Sequence, residues 1–102
     1  MRALERANSV RLARAELKRA VARGDLDPAE VVRDCPWQTE SMTISELLTS
    51  QRRWGRTRAR KFLMPLSLSE NKQLGTLTPR QRSILSAELA ARAGARGAGA
   101  IV

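Results

Sequence analysis

The chain has 102 residues, with 19 Lys plus Arg against 10 Asp plus Glu, a formal net charge of +9, a single Cys and no His. That composition excludes an intrachain disulfide, a zinc site of the usual Cys/His type and His-based triads. No apolar run approaches the roughly 20 residues that cross a bilayer, and Met1 to Arg6 carries charge without the apolar block of a secretory signal. The expectation is one small, basic, cytoplasmic domain, with Cys35 reduced and a polyanion as partner.

The charge is clustered. Residues 1–24 carry seven bases and two acids, residues 25–51 one base and six acids, and residues 52–102 eleven bases and two acids, giving +5, −5 and +9. A basic–acidic–basic order favours a middle turned away from a polyanion and two ends facing it. A merely solvated basic surface is the plainer alternative, and the density of the clusters argues against it.

The elements read as helices, and sustained period-2 alternation is missing. Residues 3–23 are rich in Ala, Leu, Arg and Glu, and Gly24 supplies a stop. Val10, Ala13, Leu17, Ala20 and Val21 make a narrow stripe, so a long first helix is expected, docked at its C-terminal half and freer at its start. Asp27-Pro28-Ala29-Glu30 opens a short second helix, with Leu26 and Val31 as a hydrophobic staple. It ends near Asp34, before Pro36. Residues 35–42 form a linker in which Trp37 is expected to plug the core.

Thr43-Ile44-Ser45-Glu46 is a capping box, with Met42 and Leu47 at the staple positions. Gln51 to Gly55 turns the chain. A helix follows from about Arg56 to Met64, with Ala59, Phe62, Leu63 and Leu66 apolar and Pro65 opposing continuation. Residues 66–77 connect, with Gly75. Thr78-Pro79-Arg80-Gln81 is a second capping box, opening a last helix to about Ala93 that buries Ile84, Leu85 and Leu89. Residues 93–102 are mostly Ala and Gly, too poor in large apolar groups to order themselves, and are expected to be a flexible tail. The expected organisation is a basic helix over 1–24, a core over 25–92 and the tail.

Six of the ten residues from Arg52 to Lys61 are basic and none is acidic. Like charges this dense repel one another unless a polyanion is present. A glycine ahead of a helix leaves backbone N–H groups uncovered, and the helix start adds its positive dipole end. Gly55, Arg56, Thr57 and Arg58 thus form a candidate phosphate cradle, with Arg52, Arg53 and Lys61 beside it. Trp54 is expected to hold the turn against the core. The plainer alternative is a polar loop before an amphipathic helix with a basic outer face.

Three segments carry a resemblance: Met42-Thr43-Ile44-Ser45-Glu46-Leu47-Leu48, Trp54-Gly55-Arg56-Thr57-Arg58-Ala59, and Leu77-Thr78-Pro79-Arg80-Gln81-Arg82. Their order is similar to the core of the actinobacterial integration host factors, which reads MKVSALLE, VGKVKA and GLGDRQR. The likeness covers most of residues 3–90, by pattern more than identity. It implies an all-α fold, a long N-terminal helix followed by a compact helix–two-turn–helix bundle. It also implies a nucleoid-associated protein that binds and bends or bridges duplex DNA, with a role in phage integration. Carried over by position, the hairpin contact falls on Gly55, Arg56, Thr57 and Arg58, and the basic start of the last helix on Arg80 and Arg82. Where the family has RRLRG, this chain has Lys72-Gln73-Leu74-Gly75-Thr76, and only Lys72 keeps the charge.

The expected function is therefore a monomeric DNA-binding protein that grips backbone phosphates with low sequence specificity. No cofactor, metal or membrane is expected, and no catalysis, since Glu30 and Glu46 are explained by capping. Arg11, Arg14 and Lys18 on the first helix would offer a second DNA surface, letting one chain hold a bent duplex. Two alternatives stand beside this. One is an RNA-binding, ribosome-associated module, because a small-subunit ribosomal protein has a similar GRTRA run but continues into a long basic tail. The other is an interaction factor whose acidic middle, Asp25 to Glu46, docks a recombinase, an integrase or a host nucleoid protein.

Overall fold

The computed structural model describes the backbone of residues 2–101 and the side chains of residues 4–92. The elements are α1 (Arg2–Arg23), α2 (Pro28–Asp34), α3 (Ile44–Thr49), α4 (Arg56–Leu63) and α5 (Pro79–Ile101), with one-turn 3₁₀ segments at Trp37–Thr39, Met64–Leu66 and Leu74–Thr76. The fold is all-helical, a long first helix followed by a bundle of shorter ones.

Helix α1 docks by its second half. Leu17 and Val21 are buried, whereas Leu4 and Leu12 are exposed, because the apolar stripe widens only toward the C-terminus. Gly24, at φ +81°, ends the helix. Asp25 N–H donates to Ala20 O at 2.9 Å and Gly24 N–H to Val21 O at 3.1 Å, the paired bonds of a Schellman ending that a left-handed residue makes possible. Asp27 then caps α2, its Oδ1 accepting from Ala29 N–H at 2.9 Å. Helix α2 stops where Cys35 turns left-handed, ahead of Pro36.

Trp37 does not plug the core; it is 58% exposed. The linker winds as a 3₁₀ turn of three residues per turn, which brings every third residue inward. Thr39 and Met42 fall on that inner side and are fully buried, and Trp37 falls outside it. Thr39 Oγ1–H donates to Pro36 O at 2.7 Å, so its hydroxyl is satisfied.

Thr43 caps α3, accepting from Glu46 N–H at 3.1 Å. Met42, Ile44, Leu47 and Leu48 are completely buried, the staple and the inward face closing on the same core. Helix α3 packs on α4, and α2 packs on α5. The connection after α4 is laced back onto the entry to α3. Ile44 N–H donates to Lys72 O, Leu74 N–H to Met42 O and Gly75 N–H to Glu40 O, each at 2.9 Å. A Cβ at Gly75 would lie 2.8 Å from Glu40 O, so this crossing needs glycine.

Helix α5 starts with both halves of its box closed. Gln81 N–H donates to Thr78 Oγ1 at 3.1 Å, and Thr78 N–H donates to Gln81 Oε1 at 3.0 Å. Leu85 and Leu89 are buried, but Ile84 is 38% exposed. It stands about 100° around the helix from Leu85, just off the inward stripe. The backbone of α5 continues to Ile101, past the point where a flexible tail is expected, and the side chains of 93–102 lie outside the described residues. Among the described residues no helix is long and apolar enough to cross a membrane.

Candidate nucleic-acid interface

Trp54 anchors the hairpin from below. It is 5% exposed and meets Phe62 of α4 edge-to-face, with ring centroids 5.4 Å apart. The turn that precedes it is closed by Trp54 N–H donating to Gln51 O at 3.2 Å. Within it Arg53 sits at φ +68°, a left-handed conformation for a residue with a Cβ. Fixing Trp54 fixes the next residue, Gly55, as the N-cap of α4.

Gly55 has extended backbone, no capping side chain and nothing within 4 Å of where a Cβ would stand. The first amides of α4 thus face an unobstructed approach, which is the geometry that receives an anion at a helix start. Gly55, Arg56, Thr57, Arg58 and Lys61 together line a cleft of about 550 Å³, with Phe62 and Arg92. Arg56, Thr57, Arg58 and Lys61 are all exposed. Buried Ala59 keeps the helix close to the core beneath them. Arg58 stacks over the Trp54 ring, its guanidinium carbon 4.5 Å from the centroid, which orients the charge without neutralising it.

Arg92 is a member of this cleft that the charge pattern alone misses. Its guanidinium lies 5.1 Å from the Phe62 ring centroid. The signal is in the helix period: Leu85, Leu89 and Arg92 follow i, i+4, i+7, so Arg92 continues the inward stripe of α5 to the edge of the core. On the other side of Gly55, a smaller cleft of about 450 Å³ adds the short polar groups of Thr43, Ser45, Thr49 and Asn71, together with the Glu46 carboxylate, which disfavours an anion there.

No protein-family model matches the chain. Over 85 residues it is 33% identical to the integration host factor of Mycobacterium tuberculosis (strain ATCC 25618 / H37Rv), with 81% of each chain covered. This chain belongs to the integration host factor family. The family is not one of enzymes. The solved structure of sIHF bound to an 8-bp palindromic DNA matches with a TM-score of 0.73 at 28% identity, covering 83% of this chain and 98% of that one.

Not every arginine marked by the integration host factor pattern is available. Arg82 is part of the scaffold: its guanidinium donates to Val32 O at 2.7 Å and to Leu74 O at 2.8 Å. Half-buried, Arg82 spends both arms of its guanidinium on these carbonyls, which ties it to the scaffold more than to the α4 clefts. Arg80 is exposed, but neither it nor half-buried Lys72 lines the α4 clefts. Arg52 and Arg53 are exposed at the turn.

The second surface on α1 is thinner than its sequence implies. Arg14 donates to Gln38 O at 3.0 Å and to Ser41 Oγ, docking α1 onto the 3₁₀ turn. Lys18 Nζ lies 3.5 Å from Glu46 Oε2, an ion pair without hydrogen-bond geometry. Arg11 remains exposed. Arg60, between the α4 charges, donates to both Glu70 oxygens at 3.2 and 3.0 Å. That hydrogen bonding, with the carboxylate's charge second, raises its already high pKa. The acidic middle is also partly committed, since Asp25 pairs with Arg23 at 2.9 Å and Asp27 caps α2.

Proposed function

We propose that this protein binds duplex DNA through backbone phosphates, with the start of α4 as the gripping element, and serves as an architectural factor of the nucleoid. The observation that carries this reading is the open, uncapped N-terminus of α4 at Gly55, surrounded by Arg56, Thr57, Arg58, Lys61 and Arg92. Two kinds of donor converge there: backbone N–H groups that fix position, and guanidinium groups that supply charge. A relative of the same fold has been solved with a DNA duplex, which supports the same class of partner.

Contacts of this kind carry little sequence information. Discrimination would come from how easily a duplex deforms, so curved or bent sites should be preferred. Bending or bridging by one chain needs a second contact. Arg11 on α1 and Arg80 at the start of α5 are exposed cations that could give it, while Arg14 is tied to the 3₁₀ turn and Lys18 is paired with Glu46.

The test is a salt titration of duplex binding. The log–log slope should fall by about 0.9 for each phosphate contact removed. The variant Arg56→Ala/Lys61→Ala should bind more weakly with a shallower slope. Unchanged affinity and slope would refute the α4 site. Competition with structured RNA of equal length separates a DNA factor from a ribosome-associated one.

A further inference from the structure

Two cations of the α4 cleft are held in place rather than loose. The Arg58 guanidinium carbon lies 4.5 Å from the Trp54 ring centroid, and that of Arg92 lies 5.1 Å from the Phe62 ring centroid. The two rings meet edge-to-face, with centroids 5.4 Å apart and planes at 75°. Both rings are buried, and both arginines are exposed. Cation, ring, ring and cation thus form one continuous row, from the first turn of α4 through the core to α5. Neither arginine has an ion-pair partner among the described residues.

An arginine side chain carries large rotamer entropy, and a loose one surrenders it when it grips a phosphate. Stacking on a buried ring restricts the side chain beforehand, which lowers that cost at the moment of binding. The ring face offers no hydrogen-bond acceptor to the in-plane N–H groups, so these stay free for phosphate oxygens. Arg58 reaches the cleft from α4 itself. Arg92 comes from α5, thirty positions beyond Phe62, and Phe62 is the α4 ring on which it stacks.

We propose that Phe62 is a positioning residue for duplex binding: buried and touching no DNA itself, it holds Arg92 at the α4 cleft, so that α5 adds a phosphate contact to the grip of α4. This rests on the duplex reading above. Trp54 does the same for Arg58, and the edge contact between the rings ties the two guanidinium groups to one support. The consequence is a signature that charge alone does not give. Removing the Phe62 ring weakens duplex binding at unchanged net charge, and does so only while Arg92 is present.

The experiment is a double-mutant cycle on duplex affinity in the full chain, with Phe62→Leu, Arg92→Gln and the two combined. Phe62→Leu keeps an apolar side chain and removes the ring face. It should weaken binding about two- to fivefold, the scale of a cation–π contact. Arg92→Gln should weaken binding at least as much and lower the salt slope by about 0.9. The combined variant should bind no more weakly than Arg92→Gln alone, because the two residues act as one. Phe62→Met, a flexible apolar filler, takes its place if Phe62→Leu does not fold. An equal loss from removing the ring in both backgrounds would make Phe62 merely structural and overturn the proposal. Unchanged affinity and slope in Arg92→Gln would overturn it as well. Arg56→Ala/Lys61→Ala measured alongside separates the two readings: if that variant is weakened while Arg92→Gln is not, the α4 site stands and only the roles of Phe62 and Arg92 fall.

Discussion

The Arg82 guanidinium crosses fifty positions of chain to reach the carbonyl of Val32 at 2.7 Å, while its other arm holds Leu74 O. One fork thus joins the start of α5, the middle of α2 and the last 3₁₀ turn. Leu74 O also accepts from Leu77 N–H at 3.4 Å, so the larger loss falls on Val32 O, at about 1–3 kcal/mol for a carbonyl left unsatisfied. Arg82→Ala should lower the chemical-denaturation midpoint markedly, and Arg82→Lys should recover only part, since an ammonium lacks the planar fork. Duplex affinity per folded molecule should stay unchanged. A loss of affinity without loss of stability would place Arg82 on the DNA instead.

Two glycines make opposite predictions. Gly75→Ala forces a Cβ to 2.8 Å from Glu40 O, a backbone atom that cannot step aside cheaply, and should destabilise the fold by about 1–3 kcal/mol. Gly55→Ala meets open space. It should disturb stability by about 1 kcal/mol or less, the scale of an N-cap change. Its methyl would stand where a phosphate approaches, so duplex affinity should fall more than stability does. Denaturation curves and binding isotherms on both variants check this.

The two tryptophans separate just as clearly. Trp37→Ser removes a side chain that is 58% exposed, and should change stability by no more than about 0.5 kcal/mol. Trp54→Ala removes a buried ring, its edge contact with Phe62 and the platform for Arg58, and should cost about 3–5 kcal/mol. Equal effects would contradict the packing described above.

Duplex affinity should be flat between about pH 6 and 9, because the chain has no His to change its charge there. The sign for Arg60 agrees: a base whose folded pKa is raised contributes stability below its unfolded value and loses it only as the pH climbs beyond, far outside the window. A transition near neutrality in a pH series would have to come from another group.

Local chemistry was the readable part of the sequence. Thr43, Asp27 and Thr78 announce their caps because the pattern needs only neighbours within a turn, and all three hydrogen bonds are present. The candidate site on α4 is legible for the same reason: Gly55 and the arginines after it are nearly consecutive, and they line one cleft. What a chain hides is the third dimension. Trp37 followed the rule that large aromatics go inside, but the 3₁₀ phase put small Thr39 there. Arg82 looked like an outward charge because its partners are a helix and a turn remote in sequence. Arg92 joined the cleft from α5 by the same distant packing, and Lys18 was withdrawn from α1's free face by Glu46.

Arg53 holds φ at +68°, where an L-residue bearing a side chain is disfavoured by about 1–2 kcal/mol and glycine is at ease. The bend would close more comfortably with the smaller residue, yet an exposed arginine occupies it, two positions before Gly55. A rise in stability together with a fall in duplex affinity in Arg53→Gly would show folding and attraction pulling this position in opposite directions. Arg53→Gly should give a sturdier molecule with one positive charge fewer beside the hairpin, so the native chain carries both the charge and the less relaxed backbone.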